Sequence, residues 1–276
     1  MMSPAVSIEN KRRQVLSWGL AALLLMAAAP AQAAFRPGAV VLDFQNVSPY
    51  SGHLLGRRAA DQLALELGAT GSWKVVDRAQ TRRAARQRDL RAPYAVGLMQ
   101  ELAHALGGDM IFTGAIQKIE VSPKSGTIRL TLLVEAIDQV SGQSAMATVQ
   151  VGEALRQEKN PQPTDVLVGE ALAAAAALAA RAVSAGTGVT MTVTEPGDGK
   201  TVRLKPVDGA MIRSGCRLLL YRSALEQQER VPVKLIGTLM VTNSGPDAYT
   251  ARVLAKAGDI HTDDVAVTVC CGQLEE

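Results

Sequence analysis

The sequence predicts an α+β protein: a three-layer-like α/β domain on a mixed sheet, followed by a small all-β, barrel-like domain. Three observations lead there. Strand-like and helix-like apolar periods alternate over residues 39–106; the period then becomes two over residues 110–153; and beyond residue 188 only short strands recur, at the spacing of a small barrel or sandwich. Length and composition agree. A chain of 276 residues exceeds one ordinary domain, and 47% apolar with 20% charged residues can bury a core, which excludes wholesale disorder and the collagen-like and disulfide-rich classes.

The first element is a leader. Lys11, Arg12 and Arg13 form a positive segment, Val15 to Ala29 is almost wholly apolar, and Ala31-Gln32-Ala33 has the small-x-small pattern of a cleavage site. The apolar run is short for a bilayer span, and no Cys adjoins the cut to be lipidated, so residues 1–33 read as a cleaved signal peptide, with no transmembrane segment left afterwards. Removing Glu9 and the three cations takes the formal charge from +3 to +1, leaving no global basic field.

In the α/β domain, residues 34–185, Ala39 to Phe44 is a short apolar strand. Leu54, Leu55, Ala59, Leu63 and Leu67 then repeat at helical spacing. Ser72 to Val76 is a second strand, and helices over Ala79 to Arg88 and Ala95 to Leu106 are parted by Pro93. Met110 to Val121, Thr127 to Asp138 and Ala145 to Glu153 form a three-stranded meander joined by turns at residues 123–126 and at Ser141-Gly142. After Asn160-Pro161-Gln162-Pro163 a helix runs to about Val183, its Ala171 to Ala180 core suited to close packing on the sheet. Ala185 to Gly188 reads as a flexible linker, and the β domain, residues 189–271, carries strands over 189–194, 201–204, 216–221, 233–242, 248–254 and 265–269.

Chemical motifs are sparse. Three His, three Cys and nine aromatics leave little for a metal cluster or a row of stacking platforms. Gly199-Lys200-Thr201 resembles the end of a phosphate loop, but Thr194 stands where that loop needs its first glycine and a strand follows, so it reads as a hairpin turn. Asp43, Asp61, Asp77 and Asp109 sit at element ends without a nucleophile or any of His53, His104 and His261 at recognisable spacing; His104 reads as a packing residue. No catalytic residue, cofactor site or metal site is expected, and hence no enzyme. Cys216 with Cys270 or Cys271 is a candidate disulfide stapling the β domain, a reduced trio being the other reading.

The sharpest charge feature is Arg78, Arg82, Arg83, Arg86, Arg88 and Arg91. On a helix, Arg78, Arg82 and Arg86 share one face, which reads either as a partner-binding surface for an acidic protein or envelope polymer or as a solvated face partly neutralised by Asp77 and Asp89. For an exported chain, nucleic acid is not the expected partner.

The order of motifs adds a resemblance. Val40-Val41-Leu42-Asp43-Phe44-Gln45-Asn46, then Trp73-Lys74-Val75-Val76-Asp77-Arg78, then Leu106-Gly107-Gly108-Asp109 leading into Ile111-Phe112-Thr113-Gly114, with Asp138-Gln139-Val140-Ser141-Gly142 closing a later strand, resembles the CsgG-like family of bacterial envelope proteins over about residues 39–183. Residues 212–222, 236–242, 249–253 and 260–265 look like the C-terminal β domain of FlgT-type proteins, although Gly215-Cys216 and Asp263-Asp264 stand where that pattern has Gly-Asp. The resemblance implies a non-enzymatic scaffold or assembly factor of a cell-envelope machine, of flagellar-ring or curli/secretion type, binding envelope proteins and self-associating into a ring. It places the chain in the periplasm or at the outer envelope. An accessory module regulating a cell-wall synthase is the other function it implies.

Overall fold

A computed structural model describes residues 35–50, 54–122, 125–157, 162–207, 209–226, 229–245 and 248–269. The α/β part orders β1 (Gly38–Val41), β2 (Gln45–Asn46), α1 (Leu55–Thr70), β3 (Lys74–Val75), α2 (Arg78–Gln87), α3 (Val96–Ala105), β4 (Met110–Val121), β5 (Thr127–Asp138), β6 (Ser144–Leu155) and α4 (Thr164–Ser184). The sheet order is β3-β1-β4-β5-β6, with β2 on β4. Strand β1 pairs parallel with β3 and β4, while β4-β5-β6 is an antiparallel meander, so the sheet is mixed as expected.

Alternation along β1 explains the layers. Ala39 and Val41 join the core under α1 and α4, whereas Val40 and Leu42 point the other way into a smaller core with Leu90 from the α2–α3 connection and Met99, Leu102 and Ala103 of α3. A strand buried on both faces is apolar at every position, and Gly38–Val41 is buried throughout. By length and composition α4 is the one described helix apolar enough to cross a membrane, yet half of its most apolar window is buried inside the protein. Its alanines bring it unusually close to β6: a Cβ on Gly152 would lie 1.9 Å from the Ala171 carbonyl oxygen.

The six remaining strands, β7 (Thr190–Glu195), β8 (Thr201–Pro206), β9 (Arg217–Glu226), β10 (Glu229–Ser244), β11 (Tyr249–Lys256) and β12 (Val265–Val269), close an antiparallel barrel in the order β10-β11-β8-β7-β12-β9. Its core holds Leu218, Leu220 and Ala266, while the alternate residues Leu219, Tyr221, Val265, Val267 and Val269 turn outward into the core of the α/β part. Phe35 meets Tyr221 edge-on at 4.8 Å between ring centres.

The segment read as a flexible linker is tied down. Fully buried Thr268 accepts the Val189 N–H at 2.9 Å through its hydroxyl, which donates to the Gly186 carbonyl at 2.7 Å, and the Gly188 N–H donates to the Thr268 carbonyl. Polar groups also cross between barrel and sheet. Asp138, fully buried, accepts from the Thr238 hydroxyl at 2.9 Å and the Ser141 N–H at 2.6 Å, and its second oxygen lies 3.6 Å from the Arg217 guanidinium.

Candidate functional site: an arginine-walled cleft

In open sheets, clefts form at the carboxyl ends of strands where consecutive crossovers leave on opposite sides. Strand β1 is such a place: α1 carries the chain from it to β3, and α2 with α3 carries it back to β4 on the far side. There a cleft of about 140 Å³ is lined by Asp43, Arg57, Arg78, Arg82, Arg86 and Tyr94 over Leu42, Ala85 and Leu90.

Arg78 is its foundation. Asp77 ends β3's exit and caps α2, its side chain accepting from the Gln80 N–H at 2.8 Å, so Arg78 opens the helix beside the end of β1. The Arg78 side chain is only 11% exposed; Nε donates to Asp61 at 2.9 Å, and its other nitrogens donate to the Val41 carbonyl and to Asp43. Arg82 adds a second donor to Asp61 at 2.6 Å. Tyr94 closes the floor, donating to the Asp43 carbonyl at 2.7 Å; burial, with Asp43 nearby and Arg78 opposing, pushes its hydroxyl up to about 12.

The candidate arginines therefore divide. Arg78 and Arg82 are committed to a lattice with Asp43 and Asp61, whereas Arg83 and Arg86 are exposed, and only Arg86 of these two lines the cleft. The residue that composition could not single out is Arg57, on the opposite wall. Close packing sets it there: the Phe44 N–H donates to the Gly56 carbonyl at 3.2 Å, and a Cβ on Gly56 would lie 1.9 Å from the Phe44 carbonyl oxygen. Arg57 stands in the first turn of α1, which has no acidic residue and no side-chain cap, so its charge opposes the helix dipole. Among the described residues, neither Arg57 nor Arg86 has a carboxylate partner.

The other sequence candidates fall elsewhere. Asp198 accepts from the Lys200 and Thr201 N–H groups at 2.9 and 3.1 Å, which makes Gly199-Lys200-Thr201 the expected hairpin turn between β7 and β8. Cys216 is buried, and Cys270 and Cys271 lie outside the described residues. His104 is exposed on the rim of a groove between α3 and the barrel rather than packed, because α3 turns Leu102 and Ala103 inward. His261 Nδ1 sits 2.6 Å from an Arg222 nitrogen, and His53 lies outside the described residues.

No family model and no curated protein matches the sequence. Among solved structures, a hypothetical protein from Chlamydia trachomatis is similar at 10% identity and a TM-score of 0.38, over 53% of this chain and 97% of that one. The C-terminal domain of LpoB from Salmonella enterica is similar at 15% identity and a TM-score of 0.35, covering 46% and 88%. The PelC dodecamer from Paraburkholderia phytofirmans gives 13% identity and a TM-score of 0.35, covering 52% and 85%. Likeness at this level does not extend to function.

Proposed function

We propose that this chain is a non-enzymatic, exported scaffold or assembly factor of a cell-envelope machine, acting by protein–protein binding in the periplasm or at the outer envelope. The observation that carries the reading is a pair of guanidiniums with no carboxylate partner among the described residues, Arg57 and Arg86, the latter donating only to the Arg82 carbonyl at 3.3 Å, on the walls of a cleft fixed by the Asp43–Arg78–Asp61–Arg82 lattice. Holding the Arg57 cation at the start of a helix costs stability, and an acidic partner side chain or chain end recovers it with charge-assisted hydrogen bonds to both arginines. The leader ending at Ala33 and the resemblance to the CsgG-like family support the envelope location.

The experiment is affinity capture from envelope extract at low and high salt, comparing the parent with an Arg57→Glu/Arg86→Glu variant, with the intact mass of the exported protein measured alongside. Both positions are exposed, so folding is expected to be unchanged while capture weakens in a salt-sensitive way. Equal recovery of the same partners by the two proteins would overturn the reading. A mass that retains the apolar leader would overturn the export assignment separately.

A further inference from the structure

Charge is sorted along this chain. Residues 78–91 hold six arginines against one acid, Asp89, whereas residues 257–276 hold Asp259, Asp263, Asp264, Glu275 and Glu276 and no lysine or arginine. The two stretches also belong to opposite ends of β1. The arginine cleft lies past its carboxyl end, beside Asp43. At its amino end the Gly38 N–H donates to Asp109 at 2.7 Å, and β4 begins opposite Asp138, which faces Arg217 at 3.6 Å. Arg217 in turn pairs with Val269, the last residue of β12. The chain therefore leaves β12 at the end of the sheet remote from the cleft, and residues 270–276 lie outside the described residues.

The cleft states what it needs in charge and shape. Arg57, Arg78, Arg82 and Arg86 bring four positive charges, and Asp43 and Asp61, which bond Arg78 and Arg82, cancel two of them. The two left over, above a floor of Leu42, Ala85 and Leu90, match two carboxylates next to an apolar side chain. The sequence has two adjacent acidic pairs. Asp263-Asp264 is engaged, Asp263 by Arg230 at 2.7 Å and Asp264 by Arg222 at 3.1 Å. The other pair is Glu275-Glu276, preceded by Leu274.

We propose that Leu274-Glu275-Glu276 of one copy docks in the arginine cleft of the next, its carboxylates on Arg57 and Arg86 and Leu274 over the apolar floor. The inference rests on the reading of the cleft as a site for acidic protein groups and names the partner as a second copy of this chain. Because the acidic segment and the cleft are different surfaces at opposite ends of the sheet, the contact is heterologous. It repeats from copy to copy into a ring or a filament and does not stop at a dimer.

The test is sedimentation of the purified full chain and its variants over a micromolar concentration series, at low and high salt. The parent is expected to form salt-sensitive oligomers larger than a dimer. Glu275→Arg/Glu276→Arg should weaken association roughly tenfold or more, as should Arg57→Glu/Arg86→Glu, since each turns two attractions into repulsions, while circular dichroism stays that of the parent. Mixing the two variants should restore association, because each segment then finds a cleft of opposite charge in the other variant. A monomeric parent would overturn the proposal, as would a segment variant that associates unchanged or a mixture no stronger than its components. If envelope proteins are nevertheless captured through Arg57 and Arg86, only the second copy is struck as occupant. Capture and association both unchanged in the Arg57→Glu/Arg86→Glu variant would remove the reading of the cleft as well.

Discussion

Replacing Asp138 with Ala tests whether barrel and sheet hold together through buried polar groups rather than apolar contact alone. The substitution strands the Thr238 hydroxyl and the Ser141 N–H and hydroxyl, and removes the carboxylate that faces the Arg217 guanidinium, whose side chain is 16% exposed. Breaking a buried ion pair by removing one partner costs about 3–5 kcal/mol. Because the acid and base here are 3.6 Å apart, the lower end applies, and about 3 kcal/mol corresponds to a fall in Tm of roughly 6–12 °C for a chain of this size. Asp138→Asn keeps an acceptor for Thr238 and should lose about half as much. The assay is reversible thermal unfolding followed by circular dichroism and calorimetry. An Asp138→Ala protein melting within about 2 °C of the parent would show that these donors reach water, and the buried-network argument would fail.

Two further outcomes follow from the packing. Gly152→Ala should cost about 1–3 kcal/mol, read as a shift in denaturant midpoint, because a Cβ there meets the Ala171 carbonyl oxygen at 1.9 Å and the Ala175 nitrogen at 2.5 Å, so backbone must move. Asp109 is pushed above the usual carboxylate range by burial, against the Gly38 N–H that donates to it, so the folded state holds a proton that the unfolded state releases. Stability from this group is therefore fully present below its ordinary value of 3.8 and is lost as pH rises through the raised one. Melting of the parent relative to Asp109→Asn should fall from pH 4 to pH 7; a constant difference would exclude the titration.

Most elements were legible because each buries one side in a simple period. Strands β4 and β5 span the residues expected from alternation, and α4 runs one residue past the expected end. The hairpin of β9 and β10 extends further than expected because Arg222, Ser223 and Leu225 continue the ladder into solvent, where no apolar alternation marks it. Strand β9 shows the opposite limit. Leu218 to Tyr221 reads as a strand, but an unbroken apolar run does not say which second surface covers it, here the core of the α/β part. The cleft was half legible: the arginines were visible, but the acids that consume Arg78 lie 17 and 35 positions away, and only the parallel pairing of β1 with β3 brings them together.

The barrel's closure has a temporal side. Strand β12 bridges β7 and β9, with Val267 opposite both Thr190 and Leu219, and its outward valines complete the core beneath the sheet. A chain emerging amino end first thus exposes Leu219, Tyr221 and the β7 edge until β12 arrives. Such late, long-range closure folds slowly and leaves sticky intermediates, so dependence on chaperones should concentrate in the interval between the appearance of β9 and the docking of β12.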